Sequence, residues 1–261
     1  MADPLSQFRL DGKVALGTGG TGGIGLPLSQ ALVQAGARVA IAGRSLERAS
    51  EAAASLGNDD AAHAVEADLT KKGESDRAVA ETVERFGRID VLINGVGGGG
   101  AGILAPAEDY PEEKWNWIMD LNLTAVLWPS QAAARRMIAQ GEGGSILNIS
   151  SVRGELALRA GYSSYVAAKG ALNMLTKQHA TEWAPQGIRV NAISPTFVRT
   201  DMVADMLAQP GFYDALVSRI PLGRIAEPED LIGAALFFCS GASAFVTGQI
   251  LTMDGGLTAC Q

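Results

Sequence analysis

Cysteine and histidine are scarce in this chain of 261 residues, which contains only Cys239 and Cys260, and only His63 and His179. Two cysteines cannot build a disulfide framework, so a reducing cytoplasm is the expected location. The polar residues 1–13 agree with this, because they lack the apolar run of a secretory signal. Two isolated histidines also argue against a zinc site, and we expect no bound metal.

Positive charge is in short supply as well. Lys and Arg number 21 against 28 Asp and Glu, which gives a net charge of −7 and a pI of about 4.9. Because the sequence has no Lys/Arg block, we expect neither nucleic acid nor an anionic membrane as a partner. No apolar run reaches the ~18 residues that a membrane-spanning helix needs. With 47% hydrophobic and 19% charged residues, the composition is that of an ordinary globular protein.

Short apolar runs alternate with longer helical stretches along the chain. Strands are predicted at 14–16, 38–42, 62–66, 90–94, 145–149, 189–193 and 249–253. Helices are predicted at 24–35, 46–56, 73–86, 119–139, 163–183 and 229–238. The strands read as continuously apolar, which favours parallel strands covered on both faces. The sequence therefore predicts an α/β fold, a single-domain Rossmann-type, doubly wound, mostly parallel sheet with helices on both faces, over residues 1–261.

Residues 196–224 form the least regular stretch of the chain, bordered or interrupted by Pro195, Pro210 and Pro221. Long connections inside compact domains are more often functional than not. We expect an irregular lid over a substrate site here, and a long surface excursion is the alternative.

A glycine-rich turn follows the first predicted strand, with the pattern Thr18-Gly19-x-x-x-Gly23-Ile24-Gly25. Glycine permits the tight turn and lets backbone amides approach a pyrophosphate, while the following helix points its positive end at the phosphates. We therefore predict dinucleotide contacts in this turn from Gly19, Thr21, Gly23, Ile24 and Gly25. A flexible glycine loop without a ligand is the alternative.

The second predicted strand ends in Gly43-Arg44-Ser45, without an acidic residue. An Asp or Glu at this place would bind the ribose 2′-hydroxyl of NAD. Arg44 and Ser45 instead suit a 2′-phosphate, so we predict NADP(H), with NAD(H) as the alternative. A basic residue within the glycine-rich turn would strengthen this prediction, and the turn contains none.

Tyr165 and Lys169 are four residues apart in a predicted helix and so share one face of it. An ammonium beside a phenol favours the phenolate and lowers the tyrosine pKa from about 10, which gives a proton donor or acceptor usable near neutral pH. A half-buried tyrosine next to a solvated lysine is the alternative interpretation. Ser151 lies shortly upstream, with Ser150 as a competitor for its role.

The chain resembles the short-chain dehydrogenase/reductase family over nearly its whole length, and in particular gluconate 5-dehydrogenase-like and related sugar or polyol members. The resemblance rests on several motifs in their order and spacing. These are Thr18-Gly19-x-x-x-Gly23-Ile24-Gly25, Asp68-Leu69, Asn94-Gly95-Val96-Gly97, Asn122, Ser151, Tyr165-x-x-x-Lys169, Asn191-x-x-x-Pro195 and Thr200.

The resemblance implies a catalytic role for four residues. Tyr165 would be the acid/base, and Lys169 would lower its pKa and hold the nicotinamide ribose. Ser151 would polarise the carbonyl, and Asn122 would hold a water that links Lys169 to solvent. The family also implies a homotetramer.

The resemblance implies further dinucleotide contacts along the chain. Asp68 would contact the adenine amino group, Asn94 the adenosine ribose and Thr200 the nicotinamide carboxamide. The remaining cofactor-binding residues that it implies are Leu69, Gly95, Tyr165, Lys169, Pro195 and Val198.

The sequence departs from the family around the substrate. Ser151 and Tyr165 are fourteen residues apart, one more than usual, and residues 97–100 are four consecutive glycines. Arg153, Arg159 and Tyr162 are the candidate substrate residues, because arginines can bind a carboxylate through two hydrogen bonds. Surface or interface charges are the alternative interpretation of these arginines.

We therefore expect an oxidoreductase that interconverts a secondary alcohol and a ketone by hydride transfer on a small molecule, namely a sugar, polyol or sugar acid. A 3-oxoacyl-carrier-protein reductase and a general carbonyl reductase are alternatives within the enzyme class. A non-catalytic cofactor sensor is the alternative outside it, but such a protein would have a broken catalytic set, whereas Asn122, Ser151, Tyr165 and Lys169 are all present.

Overall fold

Seven parallel strands form one sheet in the computed structural model, which describes residues 3–159 and 161–259. The strands are β1 (Val14–Thr18), β2 (Arg38–Gly43), β3 (Ala62–Glu66), β4 (Val91–Asn94), β5 (Gly144–Ile149), β6 (Ile188–Pro195) and β7 (Ile250–Met253). Every strand predicted from the sequence is present, and the largest change is the extension of β6 to Pro195. Their order across the sheet is β3-β2-β1-β4-β5-β6-β7, so the predicted doubly wound sheet is confirmed.

Nine α-helices connect the strands within the described ranges. They are α1 (Gly25–Gln34), α2 (Leu46–Leu56), α3 (Lys72–Phe86), α4 (Glu112–Met119), α5 (Ala125–Gln140), α6 (Ser163–Trp183), α7 (Asp201–Leu207), α8 (Phe212–Val217) and α9 (Ile232–Cys239). The bounds of α2 and α6 agree with the sequence prediction.

One helix prediction and one prediction of irregular structure need correction. The single helix expected at 119–139 is two helices, because a π-helical turn at Asp120–Thr124 separates α4 from α5. The side chain of Asn122 bonds to the Ile118 carbonyl within this turn, where a regular helix would use only backbone groups. The stretch 196–224 is also less irregular than expected, since it contains the short helices α7 and α8.

Apolar residues of the strands point to both faces of the sheet. In β4, Val91 and Ile93 belong to the core beneath α1 and α9, whereas Leu92 belongs to the core beneath α3 and α5. This explains why the strands read as continuously apolar, since helices cover each face. Residues of α1 and α9, such as Leu28 and Phe238, complete the first core.

The chain reverses its direction of travel across the sheet between β1 and β4. From β1 it moves outward to β2 and β3, and it then returns to place β4 on the other side of β1. Thr18 and Asn94, at the carboxyl ends of these two strands, are register partners. In open parallel sheets the crevice for a ligand lies at such a reversal, outside the carboxyl ends of the strands.

The scarce residues of the sequence lie away from this crevice or outside the described part of the chain. Cys239 is a buried free thiol whose pKa burial raises to about 12, and Cys260 lies outside the described residues. His179 stacks on Trp183 of the same helix with ring centroids 4.1 Å apart. His63 lies in β3, and its Nε2 is 3.3 Å from Oε1 of Glu81 in α3. Over residues 3–159 and 161–259, no three His, Cys, Asp or Glu side chains form a group able to hold a metal.

Candidate active site

Two glycine turns meet at the carboxyl ends of β1 and β4. Gly19 has a left-handed backbone with φ of 68°, and a Cβ added there would lie 2.7 Å from the carbonyl carbon of Gly95. A Cβ on Gly95 would in turn lie 2.7 Å from the carbonyl oxygen of Thr18. Real side chains do not tolerate such distances, so the close contact of the two turns requires glycine at both positions.

The glycine-rich turn leaves several backbone donors unpaired. The N–H groups of residues 20–24 donate to no acceptor in the described part of the chain, whereas the N–H of Gly19 bonds to Ala42. Helix α1 begins directly after them at Gly25, and its first turn carries no acidic residue. Consecutive unpaired amides at a helix N-terminus form a site for phosphate. The turn therefore fits a pyrophosphate on its own chemistry.

The turn is bordered by β2 on one side and by residues after β6 on the other. Thr21 Cγ2 lies 3.0 Å from the position of a Cβ on Gly43, the last residue of β2. Gly23 has φ of 49°, and Thr200 Cγ2 lies 3.4 Å from the position of its missing Cβ. Thr200 thus faces the glycine-rich turn from across the crevice. Ile24, by contrast, packs against the core beneath α1.

Positive charge reaches the turn from outside it. Arg44 is exposed and makes no hydrogen bond or ion pair with the described residues, while the Ser45 hydroxyl caps α2 by accepting from the Arg48 N–H at 3.3 Å. Arg48 Nη2 lies 3.6 Å from the position of a Cβ on Gly22. The sequence prediction looked for a basic residue within the turn and missed Arg48. The sequence could have pointed to Arg48, because this residue lies in the first turn of the predicted helix that follows β2.

Asp68 and Leu69 follow β3 and differ from each other in accessibility. The Asp68 carboxylate accepts a hydrogen bond from Thr70 Oγ1 at 2.7 Å and lies 3.2 Å from Lys71 Nζ. The bonds from Thr70 lower the pKa of this carboxyl, so it is ionised and held in place. Leu69 is buried in the core beneath α3 and α5, so only its backbone could contact a ligand.

Asn94 does not line the crevice with its side chain, so only its backbone could contact a ribose, and that expected contact stays a prediction. The residue is fully buried, and its Nδ2 donates to Ser130 Oγ and to Asn148 Oδ1, each at 2.8 Å. Its amide ties β4 to β5 and α5, which places it beneath the turn. Gly95, the next residue, provides the backbone that borders the crevice.

Asn122 holds the four-glycine loop after β4. Its Oδ1 accepts from the Gly98 N–H at 2.9 Å, and its Nδ2 donates to the Gly98 carbonyl at 2.8 Å and to the Ile118 carbonyl at 3.1 Å. A Cβ on Gly97 would lie 2.9 Å from Asn122 Oδ1 and 3.2 Å from Lys169 Nζ. The loop is therefore fixed against the helix that carries Lys169. The water-holding role expected for Asn122 stays a prediction.

Tyr165 and Lys169 lie side by side on α6 at the end of this loop. Lys169 is buried, and its Nζ donates to the Ile149 carbonyl at 2.9 Å and lies 5.7 Å from the centroid of the Tyr165 ring. Burial lowers the pKa of Lys169 to about 8. A Cβ on Gly99 would lie 3.1 Å from Tyr165 Cδ2, so the glycine loop passes directly over the ring.

The expected direction of the Tyr165 pKa is wrong. Burial raises the pKa of this phenol, and the opposing hydrogen bond from Ser151 and the charge of Arg153 do not offset it. The Lys169 ammonium is not among the groups that lower the pKa, because it is directed at the Ile149 carbonyl. The phenol is consequently protonated at neutral pH.

Ser151, and not Ser150, is the serine that contacts Tyr165. Ser151 is the serine that lowers the pKa of the phenol, and its Oγ accepts from the Arg153 N–H at 3.2 Å. The Ser150 hydroxyl donates instead to Asn173 Oδ1 at 2.5 Å on the far side of the strand end. The structure thus brings Ser151, Tyr165, Lys169 and Asn122 together at one end of the crevice.

The candidate substrate residues have different surroundings. Tyr162 packs edge-on against Tyr165 with centroids 6.2 Å apart. Arg153 is partly buried beside these rings, whereas Arg159 is exposed. Sequence reasoning missed Arg219, whose charge acts on Arg153 although it lies 66 positions further along the chain.

The residues after β6 border the site from the other side. Pro195 ends that strand, and Val198 is buried in the core and forms a parallel bridge with Ala226. Val198 can therefore offer a ligand its backbone and little else. Met202, in α7, reaches the glycine loop, since its Sδ lies 2.8 Å from the position of a Cβ on Gly98.

Comparison with known proteins agrees with this geometry. A family model described as enoyl-(acyl carrier protein) reductase matches residues 17–258. The chain is 40% identical over 254 residues to gluconate 5-dehydrogenase of Gluconobacter oxydans (strain 621H), covering 96% of each. It is 38% identical over 257 residues to galactitol 2-dehydrogenase (L-tagatose-forming) of Cereibacter sphaeroides, covering 98% of this chain and 99% of the relative.

A solved structure is equally similar. The crystal structure of a gluconate 5-dehydrogenase from Burkholderia cenocepacia J2315 in complex with NADP and tartrate superposes with a TM-score of 0.93 at 39% identity, covering 99% of this chain and 100% of that chain. Among the described residues of the present chain, no helix has the length and apolarity that crossing a membrane requires.

Proposed function

The chain belongs to the short-chain dehydrogenase/reductase family, and from this we propose that it interconverts a secondary alcohol and a ketone by hydride transfer with a nicotinamide dinucleotide. One observation carries the proposal. Ser151, which lowers the Tyr165 pKa, and Tyr165 lie with the buried Lys169 at the end of a crevice whose other end is a turn of unpaired amides.

The dinucleotide would lie along this crevice and supply the hydride acceptor or donor. The amides of residues 20–24 would hold its pyrophosphate, and Asp68 would contact the adenine. The backbone at Gly95, Pro195 and Val198, with the Thr200 side chain, would border the remainder.

The chain's own residues would move the proton. In the reduction of a ketone, the protonated Tyr165 phenol donates its proton to the carbonyl oxygen as the hydride reaches the carbonyl carbon. Ser151 donates a hydrogen bond to the same oxygen and stabilises its developing negative charge. In the oxidation of an alcohol, Tyr165 must instead accept the hydroxyl proton. Each direction passes through the phenolate, and Lys169 Nζ lies 5.7 Å from the centroid of that ring.

We propose NADP(H) as the preferred cofactor. Arg44 and Arg48 are both exposed arginines near the end of β2, neither makes an ion pair with the described residues, and Arg48 reaches Gly22 of the turn. Glu51 borders the same groove as Arg48. Two guanidinium groups favour a 2′-phosphate.

Titration of the purified protein with NADPH and NADH, followed by tryptophan fluorescence, tests the cofactor proposal without any substrate. Arg44→Asp and Arg48→Asp should each weaken NADPH binding by at least about tenfold, since charged hydrogen bonds contribute about 1.5–3 kcal/mol. NADH binding should change far less. Arg85→Asp, in α3, changes the net charge equally and is the matched control. An unchanged ratio of the two affinities in both variants would remove these arginines from the 2′-phosphate.

For the substrate we propose a sugar, polyol or sugar acid, with residues 196–224 as the lid over it. The support is the similarity to relatives named for gluconate and galactitol, and the presence of Arg153, Tyr162 and Tyr165 at the crevice mouth. The family model is described by an acyl-carrier substrate, which would need a basic surface for its acidic carrier. The net charge of −7 does not favour that alternative.

A panel of polyols, sugar acids, ketones and oxoacyl esters, assayed with oxidised and reduced forms of both dinucleotides, tests the proposed reaction. Turnover of at least one secondary alcohol or ketone is the expected result. Binding of NADPH without turnover of any compound would instead indicate a cofactor sensor.

We also propose a cytoplasmic homotetramer. Phe245 is fully exposed, and Leu251 of the edge strand β7 and Met174 of α6 are exposed as well. Burial of such side chains between subunits would remove apolar surface from water. Light scattering after size exclusion gives the mass of the assembly, and a mass of about 27 kDa would contradict the proposal.

A further inference from the structure

The segment between the four-glycine loop and α4 lies against the start of the helix that carries Tyr165. The Ala105 N–H donates to the Gly161 carbonyl at 3.2 Å, and a Cβ on Gly161, whose φ is 69°, would collide with the backbone of Ala105. Lys114 Nζ, from α4, donates to the Leu104 carbonyl at 3.4 Å. Residues 102–110, which these contacts hold in place, form a strap between α4 and α6.

Ile103 places the strap beside the ring of Tyr165. It is buried in a small apolar cluster with Ile118 and Ala168, and the Tyr165 ring packs against this cluster. Ile103 Cδ1 lies 2.6 Å from the position of a Cβ on Gly99, and Tyr165 Cδ2 lies 3.1 Å from the same position. The backbone of Gly99 is therefore enclosed between the strap and the phenol ring, so a shift of Ile103 would change the space available to that ring.

One hydroxyl group joins the strap to α6. Tyr110 Oη lies 2.7 Å from the Ile103 carbonyl oxygen and 2.6 Å from Ser164 Oγ. A phenol has one proton and a carbonyl can only accept, so Tyr110 donates to Ile103 and accepts from Ser164. Ser164 is fully buried and directly precedes Tyr165 in the first turn of α6, where Tyr162 at the N-cap provides no side-chain hydrogen bond. The Tyr110 hydroxyl thus holds both the strap beside the ring and the turn from which Tyr165 extends.

We propose that Tyr110 is a positioning residue for the reaction, and that it acts through Ser164 and the Ile103 carbonyl to keep the Tyr165 hydroxyl where the proton is transferred. The inference rests on the proposed oxidoreductase function. Tyr110 does not exchange a proton with the substrate, because its one proton is held by the Ile103 carbonyl. Misplacement of a reacting group by about 1 Å can lower a rate by about a hundredfold. A loosened strap should therefore slow the chemical step.

Tyr110→Phe removes the hydroxyl and keeps the ring. With a substrate from the panel above, the rate of hydride transfer in a single turnover, followed by nicotinamide absorbance, should fall by at least about tenfold. The dissociation constant of the dinucleotide should stay within about twofold, since Ile103 and Ser164 are not among the residues assigned to it.

The pH profile separates a positioning residue from a second acid/base. The kcat/KM of Tyr110→Phe for oxidation should keep the pH dependence of the wild type at a lower level, because Tyr165 is still the group that accepts the proton. A profile of different shape would overturn the inference, since Tyr110 would then transfer a proton itself.

Ser164→Ala tests the route through which Tyr110 acts. It leaves the bond from Tyr110 to Ile103, so the single-turnover rate should fall by only about threefold, as for loss of one neutral hydrogen bond. If the two hydroxyls act as one unit, the double variant should match Tyr110→Phe alone within about twofold. An unaffected rate in Ser164→Ala, or a double variant whose loss is the product of the two single losses, would overturn the inference.

Thr82→Val is the matched control for loss of a buried hydroxyl. Thr82 is fully buried in α3, which carries none of the four catalytic candidates, and its hydroxyl donates to the Ala78 carbonyl at 2.8 Å. Its single-turnover rate should equal that of the wild type, and a loss as large as that of Tyr110→Phe would overturn the inference. A wild-type rate in Tyr110→Phe would do the same and leave the oxidoreductase function standing. Failure of the wild-type enzyme to turn over any compound of the panel would overturn both.

Discussion

Single residues at the Tyr165 end of the crevice show what the sequence could predict and what it could not. The sequence motifs identified four candidate catalytic residues, namely Asn122, Ser151, Tyr165 and Lys169. All four lie together in the structure. The direction of the Tyr165 pKa was predicted wrongly. Spacing along a helix says that two side chains share a face, but it does not reveal how deeply they are buried or which carbonyl attracts the lysine.

The raised pKa of Tyr165 predicts how the two directions of reaction depend on pH. Oxidation needs a phenol that can accept a proton, so its kcat/KM should rise as pH increases from about 6 to 9. Reduction needs the protonated phenol and should not rise over the same range. Initial rates in each direction give the two profiles. An oxidation rate that is already independent of pH at neutrality would mean that the phenol is acidic after all.

The lowered pKa of Lys169 predicts a pH-dependent contribution to stability. Between about 8 and 10.5 the folded lysine has lost its proton while the unfolded one retains it, so stability rises with pH in this window. Below about 8 both states are protonated and the folded protein carries the full cost of the buried charge. Lys169→Met lacks this titration.

Urea unfolding of wild type and Lys169→Met at pH about 7.5 and about 10.5 measures the effect. The free energy of unfolding of the wild type, relative to the variant, should increase by up to about 3 kcal/mol between the two pH values. Other titrating groups are common to both proteins and cancel in the difference. A difference that does not change with pH would show that the buried ammonium has an ordinary pKa.

Among the elements, the glycine turns were predicted well and their surroundings were not. The strand–turn–helix order placed residues 19–25 correctly, because glycine spacing reports a local backbone requirement. Arg48 was missed because it reaches the turn from a different element, and the burial of the Asn94 side chain was not foreseen because its strand end turns that side chain inward. The π-helical turn at Asp120–Thr124 contains Asn122, whose side chain bonds to the loop at Gly98, and periodicity cannot show such a contact.

The contact between the two glycine turns yields a prediction with an internal control. Gly12 and Gly19 have similar backbones, with φ of 75° and 68°, but a Cβ on Gly12 would meet nothing within 4 Å. Gly12→Ala should therefore lose only the backbone preference, about 1–2 kcal/mol. Gly19→Ala should lose more, because its Cβ would collide with Gly95, and it should also weaken NADPH binding. Equal losses of stability and unchanged binding would show that the turns do not need this contact.

Across the whole molecule, the alternation of strands and helices predicted the sheet because parallel strands covered on both faces have an unmistakable apolar pattern. All seven strands and the doubly wound class follow from it. The effect of Arg219 on the pKa of Arg153 does not, since the two residues are 66 positions apart in the chain. Electrostatic relations between distant segments are a property of the assembled fold.

The most direct test of the account is to measure dinucleotide binding and turnover side by side in Tyr165→Phe. The variant keeps the ring that packs against Tyr162 and under Gly99, and it loses only the hydroxyl that contacts Ser151. We predict that NADPH affinity stays within about twofold while kcat falls by at least about a hundredfold, the usual contribution of a general acid. Turnover close to that of the wild type would contradict the claim that the Tyr165 hydroxyl transfers the proton.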